Sequence, residues 1–383
     1  MKTFFSFLLI MAATAVHAQV VVNEMMSINR DAVEDSSGET PDWVELYNSG
    51  SSTVHLNGWG ISDDPEEPMK YVLPDIQLAP GEHLLLFASG RDEVVNGEYH
   101  LNFKLGAGRE PVVLTDNNGV KVDQLPAICI PADISYGHYP DGSGILKHFL
   151  TPTPGTSNSS DTTTITYQPA NLTASVPGGF YQNAFEVELK SDVPGTTIHY
   201  TLDGSSPDER SEIYVHPLTI KSRKGDKNEV SDERTAETWL PPAGEVFKGT
   251  PLRAVVMTNG CPASDIITHT YLVDEHIFER YTLPVVSLNT HENNFFNKEE
   301  GIYVIGEEDS EVFNYDQPWE RPVAMELFNL SGDVVFKQDL GVRIHGGGSR
   351  KRPQKSLRLY AKEKYGLDTM PYQFFEEKNI NSF

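Results

Sequence analysis

The chain has little cysteine, a shortage of positive charge and, after its first residues, no long apolar run. Only two of its 383 residues are cysteine, Cys129 and Cys261. A disulfide-stapled secreted domain would carry several at closer spacing, and a thiolate zinc site would need Cys-x-x-Cys, which does not occur. Both cysteines are therefore expected as buried or free thiols, with a bridge between domains as the lesser alternative. Lys and Arg number 30 against 55 Asp and Glu, a formal net charge of −25. Phosphate is repelled by such a surface, which argues against a nucleic-acid binder. Beyond the N-terminus no run approaches the ~20 apolar residues that a membrane-spanning helix needs. No transmembrane segment is expected after signal cleavage.

The N-terminus itself reads as a leader. Lys2 supplies positive charge, Phe4 to Val16 is almost unbroken apolar sequence, and Val16-His17-Ala18 has the small or tolerated residues of a cleavage site. Residues 1–18 are expected to be a signal peptide cut before Gln19, and no cysteine follows to accept a lipid. A secreted or cell-surface location follows.

Apolar residues make up 38% of the chain, enough for packed cores, and 25 Pro with 30 Gly point to many turns. At this length two or three domains are expected. Residues 19–160 read as short strands separated by turns, the pattern of an all-β sandwich. Val20-Val21-Val22-Asn23-Glu24 opens the domain. Trp43-Val44-Glu45-Leu46-Tyr47 alternates at period two, with Trp43, Glu45 and Tyr47 on one side. Asn48-Ser49-Gly50, Pro80-Gly81 and Asp116-Asn117-Asn118-Gly119 are turns. Asp63-Asp64-Pro65-Glu66-Glu67 lacks the alternating spacing of a calcium loop and is expected to be a solvated turn. Thr151 to Thr164, rich in Thr, Pro and Ser, reads as linker, with 161–166 closing it.

Asn23-Glu24, Asp42-Trp43-Val44-Glu45-Leu46-Tyr47-Asn48, Leu56-Asn57-Gly58-Trp59, Leu78-Ala79-Pro80-Gly81 and Thr153-Pro154-Gly155-Thr156 together resemble the lamin tail domain family. That resemblance implies an immunoglobulin-like sandwich. Glu24 and Glu45 recur in its motif and are expected to hold strand edges or caps rather than to do chemistry.

Residues 167–273 form a second small sandwich. Phe185 to Leu189 and Thr197 to Leu202 are alternating strands, and Asp203-Gly204-Ser205-Ser206-Pro207 is a turn. A polar insertion, Lys221 to Glu237, precedes the strands Leu252 to Val256 and Thr268 to Leu272. The run Gly195 to Pro207 resembles the C-terminal sandwich of chitobiase and β-hexosaminidase enzymes, a module that accompanies catalysis. No pair of carboxylates marks a glycosidase centre here. A spacer or docking role is expected, with sugar contact through Trp239 unsupported.

Residues 282–383 change character. Pro284 to Leu288 is a strand, His291 to Lys298 a short helix or turn, Gly301 to Gly306 an apolar run, and Pro322 to Asn329 and Val334 to Ile344 further strands. Then comes Gly341-Val342-Arg343-Ile344-His345-Gly346-Gly347-Gly348-Ser349, followed by Arg350-Lys351-Arg352-Pro353-Gln354-Lys355-Ser356. Consecutive glycines let backbone N–H groups approach an anion, and adjacent cations attract it. An exposed hairpin with a solvated basic tip is the plainer reading of the same residues. The pattern is neither a Walker A loop nor the GxGxxG loop of ordinary protein kinases.

Gly-x-Arg-x-His-Gly-Gly, Ser and Lys-Ser-x-Arg-Leu, with Leu-Pro-Val-Val-Ser-Leu upstream, resemble the N-terminal part of the spore-coat CotH kinase family. The family's members are secreted, atypical kinases that phosphorylate serine with ATP and a divalent metal, Mg or Mn. The resemblance implies that Arg343, Gly346, Gly347 and Ser349 sit near nucleotide phosphates and that Lys355 is the kinase lysine. Metal-holding and proton-accepting acids would lie downstream. Only residues 356–383 follow, and Asp368 there is expected to be a surface turn, so the kinase-like α+β domain is expected to be incomplete and inactive alone. Two functions remain open: part of a CotH-like protein kinase docked by its sandwiches, or a non-catalytic array binding an extracellular or surface protein or glycan.

Overall fold

The computed structural model describes residues 19–106, 110–165, 168–307, 312–375 and 377–383. The expected signal peptide, residues 1–18, lies outside them. The protein is mainly β and divides into two compact units. The first takes Met1–Thr166 with Asn259–Cys261, the second Tyr167–Thr258 with Pro262–Phe383.

The first unit is a sandwich of an eight-stranded and a four-stranded sheet. At the centre of the larger, Val20–Met26 pairs antiparallel with Asp42–Asn48, and that strand with His83–Ala88. The smaller sheet runs Lys121–Leu125, Val112–Thr115, Gly60–Ser62, Tyr71–Val72. Val22, Val44, Leu46 and Leu86 of one sheet share a core with Ile61, Val112, Leu114 and Leu125 of the other. The period-two alternation of the second strand holds, yet both its faces are covered. Trp43 is buried in a separate cluster with Met26 and Phe87 on the opposite side.

The Thr/Pro/Ser segment read as linker is largely built into this sandwich. Thr162–Thr163 pairs with Leu146–Phe149 at the edge of the large sheet. Before it, buried carboxylates hold the chain down. Glu24 accepts hydrogen bonds from Thr153 N at 3.2 Å and Thr153 Oγ1 at 3.0 Å, and from Ser135 Oγ. Glu45 accepts from Gly155 N at 2.6 Å and Asn23 Nδ2 at 3.0 Å. Asp141 accepts from Asn158 N at 2.9 Å. Composition alone leaves such a segment without a core; its backbone donors find one through acids already buried on the strands.

The thiol expectation is corrected as well. Cys129 and Cys261 form a disulfide across 132 residues of sequence. Cys261 reaches it because Asn259–Cys261, just past the strand Thr250–Thr258, belongs to the first unit. Sequence separation hid the pair, since nothing local to either cysteine records which loop will meet which.

The second unit joins the small sandwich to the third segment. Its main sheet is built on Thr197–Thr201, Thr250–Thr258 and Ile267–Val273, antiparallel in that order, with Gly179–Tyr181 parallel at one end. The third segment is a four-stranded antiparallel sheet: Val285–Asn289, Arg321–Phe328, Val334–His345, Ser356–Tyr360. An apolar cluster of Phe180, Leu272, Ile277 and Phe328 fastens the two together. The expected helix-or-turn after Val285–Asn289 is a single turn, Asn293–Phe296. Gly301 to Gly306 is not a strand but a turn-rich stretch whose Ile302 and Val304 are buried.

Candidate functional site

Two adjacent strands define the position of the basic glycine loop. Val334–His345 and Ser356–Tyr360 pair antiparallel, with Arg343 opposite Arg358 and His345 opposite Ser356. The chain between them, residues 346–355, must therefore turn back within ten positions. It does so through a short 3-10 turn, Gly348–Lys351.

The three glycines are not equivalent. Gly346 has φ +95° and a Cβ there would strike Ser349 Oγ, so the turn demands glycine. Gly347 and Gly348 have no positive φ, and a Cβ on either would meet nothing within 4 Å. Packing within the protein accounts for neither, although the Gly347 backbone, at φ −89° and ψ −84°, lies outside the usual helical and extended regions.

The loop is tied internally by its own cations. Ser349 Oγ donates to His345 O at 3.2 Å, and Arg350 Nε to Gly346 O at 2.6 Å. Arg350 Nη1 also reaches Asp316 Oδ1 at 3.3 Å. Lys355 is only 7% exposed. Its ammonium donates to Arg350 O at 2.5 Å and Arg352 O at 3.0 Å, and sits 4.0 Å from the centre of the Tyr315 ring. The Tyr303 hydroxyl accepts from Lys355 N at 2.9 Å. Burial pushes the Lys355 ammonium down to about 8, against the opposing pull of Asp316. Beyond these ties, Lys351 and Arg352 are exposed with no acidic partner among the described residues, while Arg358 faces His345 Nε2 at 3.3 Å. A local excess of positive charge stands on an otherwise acidic protein.

The structure thus brings Gly346, Gly347, Ser349 and Lys355 into one loop. Arg343 it places elsewhere. The Arg343 guanidinium donates to Glu320 Oε2 at 2.9 Å and stacks 5.1 Å from the Tyr360 ring. Glu320 also accepts from Lys362 Nζ at 2.7 Å and Tyr365 Oη at 3.0 Å, with Lys364 Nζ at 3.3 Å. Burial alone would raise the Glu320 carboxyl, but these donors bring it down to about 2. Arg343 is thus engaged in an ion cluster around Glu320.

Tyr303, Tyr315, Asp316 and Glu320 had no signal in the sequence. They come from the turn-rich stretch before Arg321–Phe328, whose residues carry no motif and no period. Asp368 is exposed, as a surface turn should be, and Trp239 is half-buried. Asp63 is held by Lys70 Nζ at 2.6 Å, in a hydrogen-bonded turn. Among the described residues no three His, Cys, Asp or Glu side chains gather closely enough to hold a metal ion.

Fold and site together define a β-rich, multi-module protein with a cationic loop carried on its last sheet. The modules themselves have relatives. A family model described as Lamin Tail Domain matches residues 13–128, and one described as Fn3 associated matches residues 187–271. The chain carries a lamin tail domain and an Fn3-associated domain. No curated protein matches it.

Proposed function

We propose that the loop 346–355 grips the phosphates of ATP, and that this chain carries the phosphate-binding part of a secreted CotH-like protein kinase. The lamin tail domain and the Fn3-associated domain, which resembles the chitobiase-type sandwich, serve to dock it to an extracellular or surface protein or glycan. The observation that carries the reading is the bareness of Gly347 and Gly348. Open space over two adjacent residues, beside uncompensated Lys351 and Arg352, suits close approach by an anion to backbone N–H groups. Lys355, the last residue of the loop, supplies a buried ammonium, and phosphate oxygens would take the place of the carbonyls of Arg350 and Arg352. A divalent ion, Mg or Mn, would accompany the triphosphate. No described residue is assigned to that ion, and the part proposed for this loop is phosphate binding rather than phosphoryl transfer.

A titration calorimetry experiment with ATP and Mg2+ tests this. The wild-type protein binds, and Lys355→Ala binds at least about tenfold more weakly while keeping its circular dichroism spectrum. Binding of equal strength by both, or none by the wild type, rejects the reading.

One observation favours a second, non-catalytic reading. The Lys355 ammonium is already satisfied by two carbonyls and an aromatic face, so it can brace the loop with no ligand at all. In that case Lys355→Ala lowers the melting temperature and the wild type ignores ATP.

A further inference from the structure

A second site lies away from the glycine loop, in the second unit. A cleft of about 390 Å3 opens where the turn Asp203 to Pro207 of the Fn3-associated domain meets the four-stranded sheet. That volume falls within the ~300–1,000 Å3 of small-ligand sites.

Of its charged lining residues, Lys364 is paired with Glu320 Oε1 at 3.3 Å, whereas Arg253 and Asp339 are close but unjoined. Arg253, on Thr250–Thr258, is 7% exposed and anchored at its inner edge. Its Nε donates to Thr268 Oγ1 at 3.3 Å and its Nη1 to Ser206 Oγ at 2.9 Å. Nη2 makes no hydrogen bond with a described residue, and Arg253 lines the cleft. Across from it Asp339, on Val334–His345, is exposed and accepts no hydrogen bond from any described residue. The two are near enough to feel each other's charge yet make no ion pair within 4.0 Å. Asn294 adds an Oδ1 with no donor among the described residues, its Nδ2 being spent on Thr290 Oγ1 at 2.6 Å. Val323, Leu340 and the Tyr365 ring supply apolar wall.

We infer that this cleft binds a neutral polyhydroxylated ligand, a glycan unit, between Arg253 and Asp339. A simple anion would face Asp339 and a simple cation would face Arg253, each at a cost. Adjacent sugar hydroxyls satisfy both walls at once, because each hydroxyl accepts from the guanidinium side and donates to the carboxylate side. Asn294 Oδ1 accepts a further hydroxyl, and the C–H face of the ring covers the apolar wall. Pre-anchoring of Arg253 through Nε and Nη1 means that little side-chain freedom is lost on binding.

The inference does not rest on the nucleotide reading and is tested separately. Maltose, cellobiose, lactose and diacetylchitobiose are titrated into the full chain by saturation-transfer NMR, with free glycine as the zwitterionic control. At least one disaccharide binds with millimolar or better affinity, and Asp339→Asn weakens it about tenfold. That variant is expected to keep the fold, checked by its melting temperature, since Asp339 is exposed on its strand. ATP binding is the same in Asp339→Asn and wild type. Failure of all four disaccharides, unchanged affinity in the variant, or a signal from glycine alone overturns the assignment.

Discussion

Lys355 is where charge, burial and proposed ligand meet. An ammonium this enclosed is held at about 8, so near pH 8 a sizeable fraction of the free protein carries it neutral. Phosphate at that spot favours the charged form and raises its pKa. The bound state therefore holds more protons, and binding takes one up. Calorimetry of ATP at pH 8, in two buffers of different ionisation heat, should give uptake of roughly half a proton per site. The uptake shrinks at pH 6.5, where the lysine is already charged, and disappears in Lys355→Ala. Buffer-independent heats at pH 8 would contradict the account. Glu320 offers a contrast one strand away. It is a buried acid so well supplied with donors that it stays ionised, and Arg343 is bound to it rather than to the loop.

At the scale of elements, the closing segment of the lamin tail domain depends on acids buried under it. Burial raises the Glu45 carboxyl to about 8, with Asn23 opposing and Glu24 reinforcing. Folded Glu45 therefore binds a proton that the unfolded chain, at about 4.5, has released. Its contribution is full below pH 4.5 and is lost as pH rises through 8. Glu45→Gln, neutral throughout, should show a flatter melting profile than wild type between pH 5 and 8, gaining on it at the alkaline end. Parallel profiles would show that Glu45 does not titrate in this window. The element boundaries explain what could be read beforehand. Strands such as Asp42–Asn48 declare themselves by period-two alternation, and turns by Gly, Asn and Pro. Thr162–Thr163 does not, and the Thr153-to-Gly155 stretch stood out only as part of the lamin tail motif, because what orders them is sheet-edge pairing and hydrogen bonding to Glu24 and Glu45, far away in sequence.

For the molecule as a whole, the disulfide is the longest covalent constraint. Closing 132 residues removes unfolded-chain entropy worth about 5 kcal/mol in the loop-closure model. Cys129→Ser, Cys261→Ser and reduction of the wild type should each lower the melting temperature by a similar amount. An unchanged melt under reductant would mean that packing alone holds Asn259–Cys261 in the first unit. The β class and the lamin tail domain were legible because repeated short patterns add up over many residues. The loop 346–355 was legible as a cluster of glycine and positive charge. Its supports were not, since Tyr303, Tyr315 and Asp316 reach the loop only after the sheet has formed.

The glycine argument yields the sharpest test, because it separates ligand from fold. Gly347→Ala with Gly348→Ala adds two methyl groups that meet no atom of the protein within 4 Å. The doubly substituted protein should melt within a degree or so of wild type, as surface substitutions do. Its ATP–Mg2+ affinity should nevertheless fall at least about tenfold, since the methyl groups occupy the path of the phosphates. Undiminished ATP binding by that protein would show that the bare glycines were not kept for a ligand.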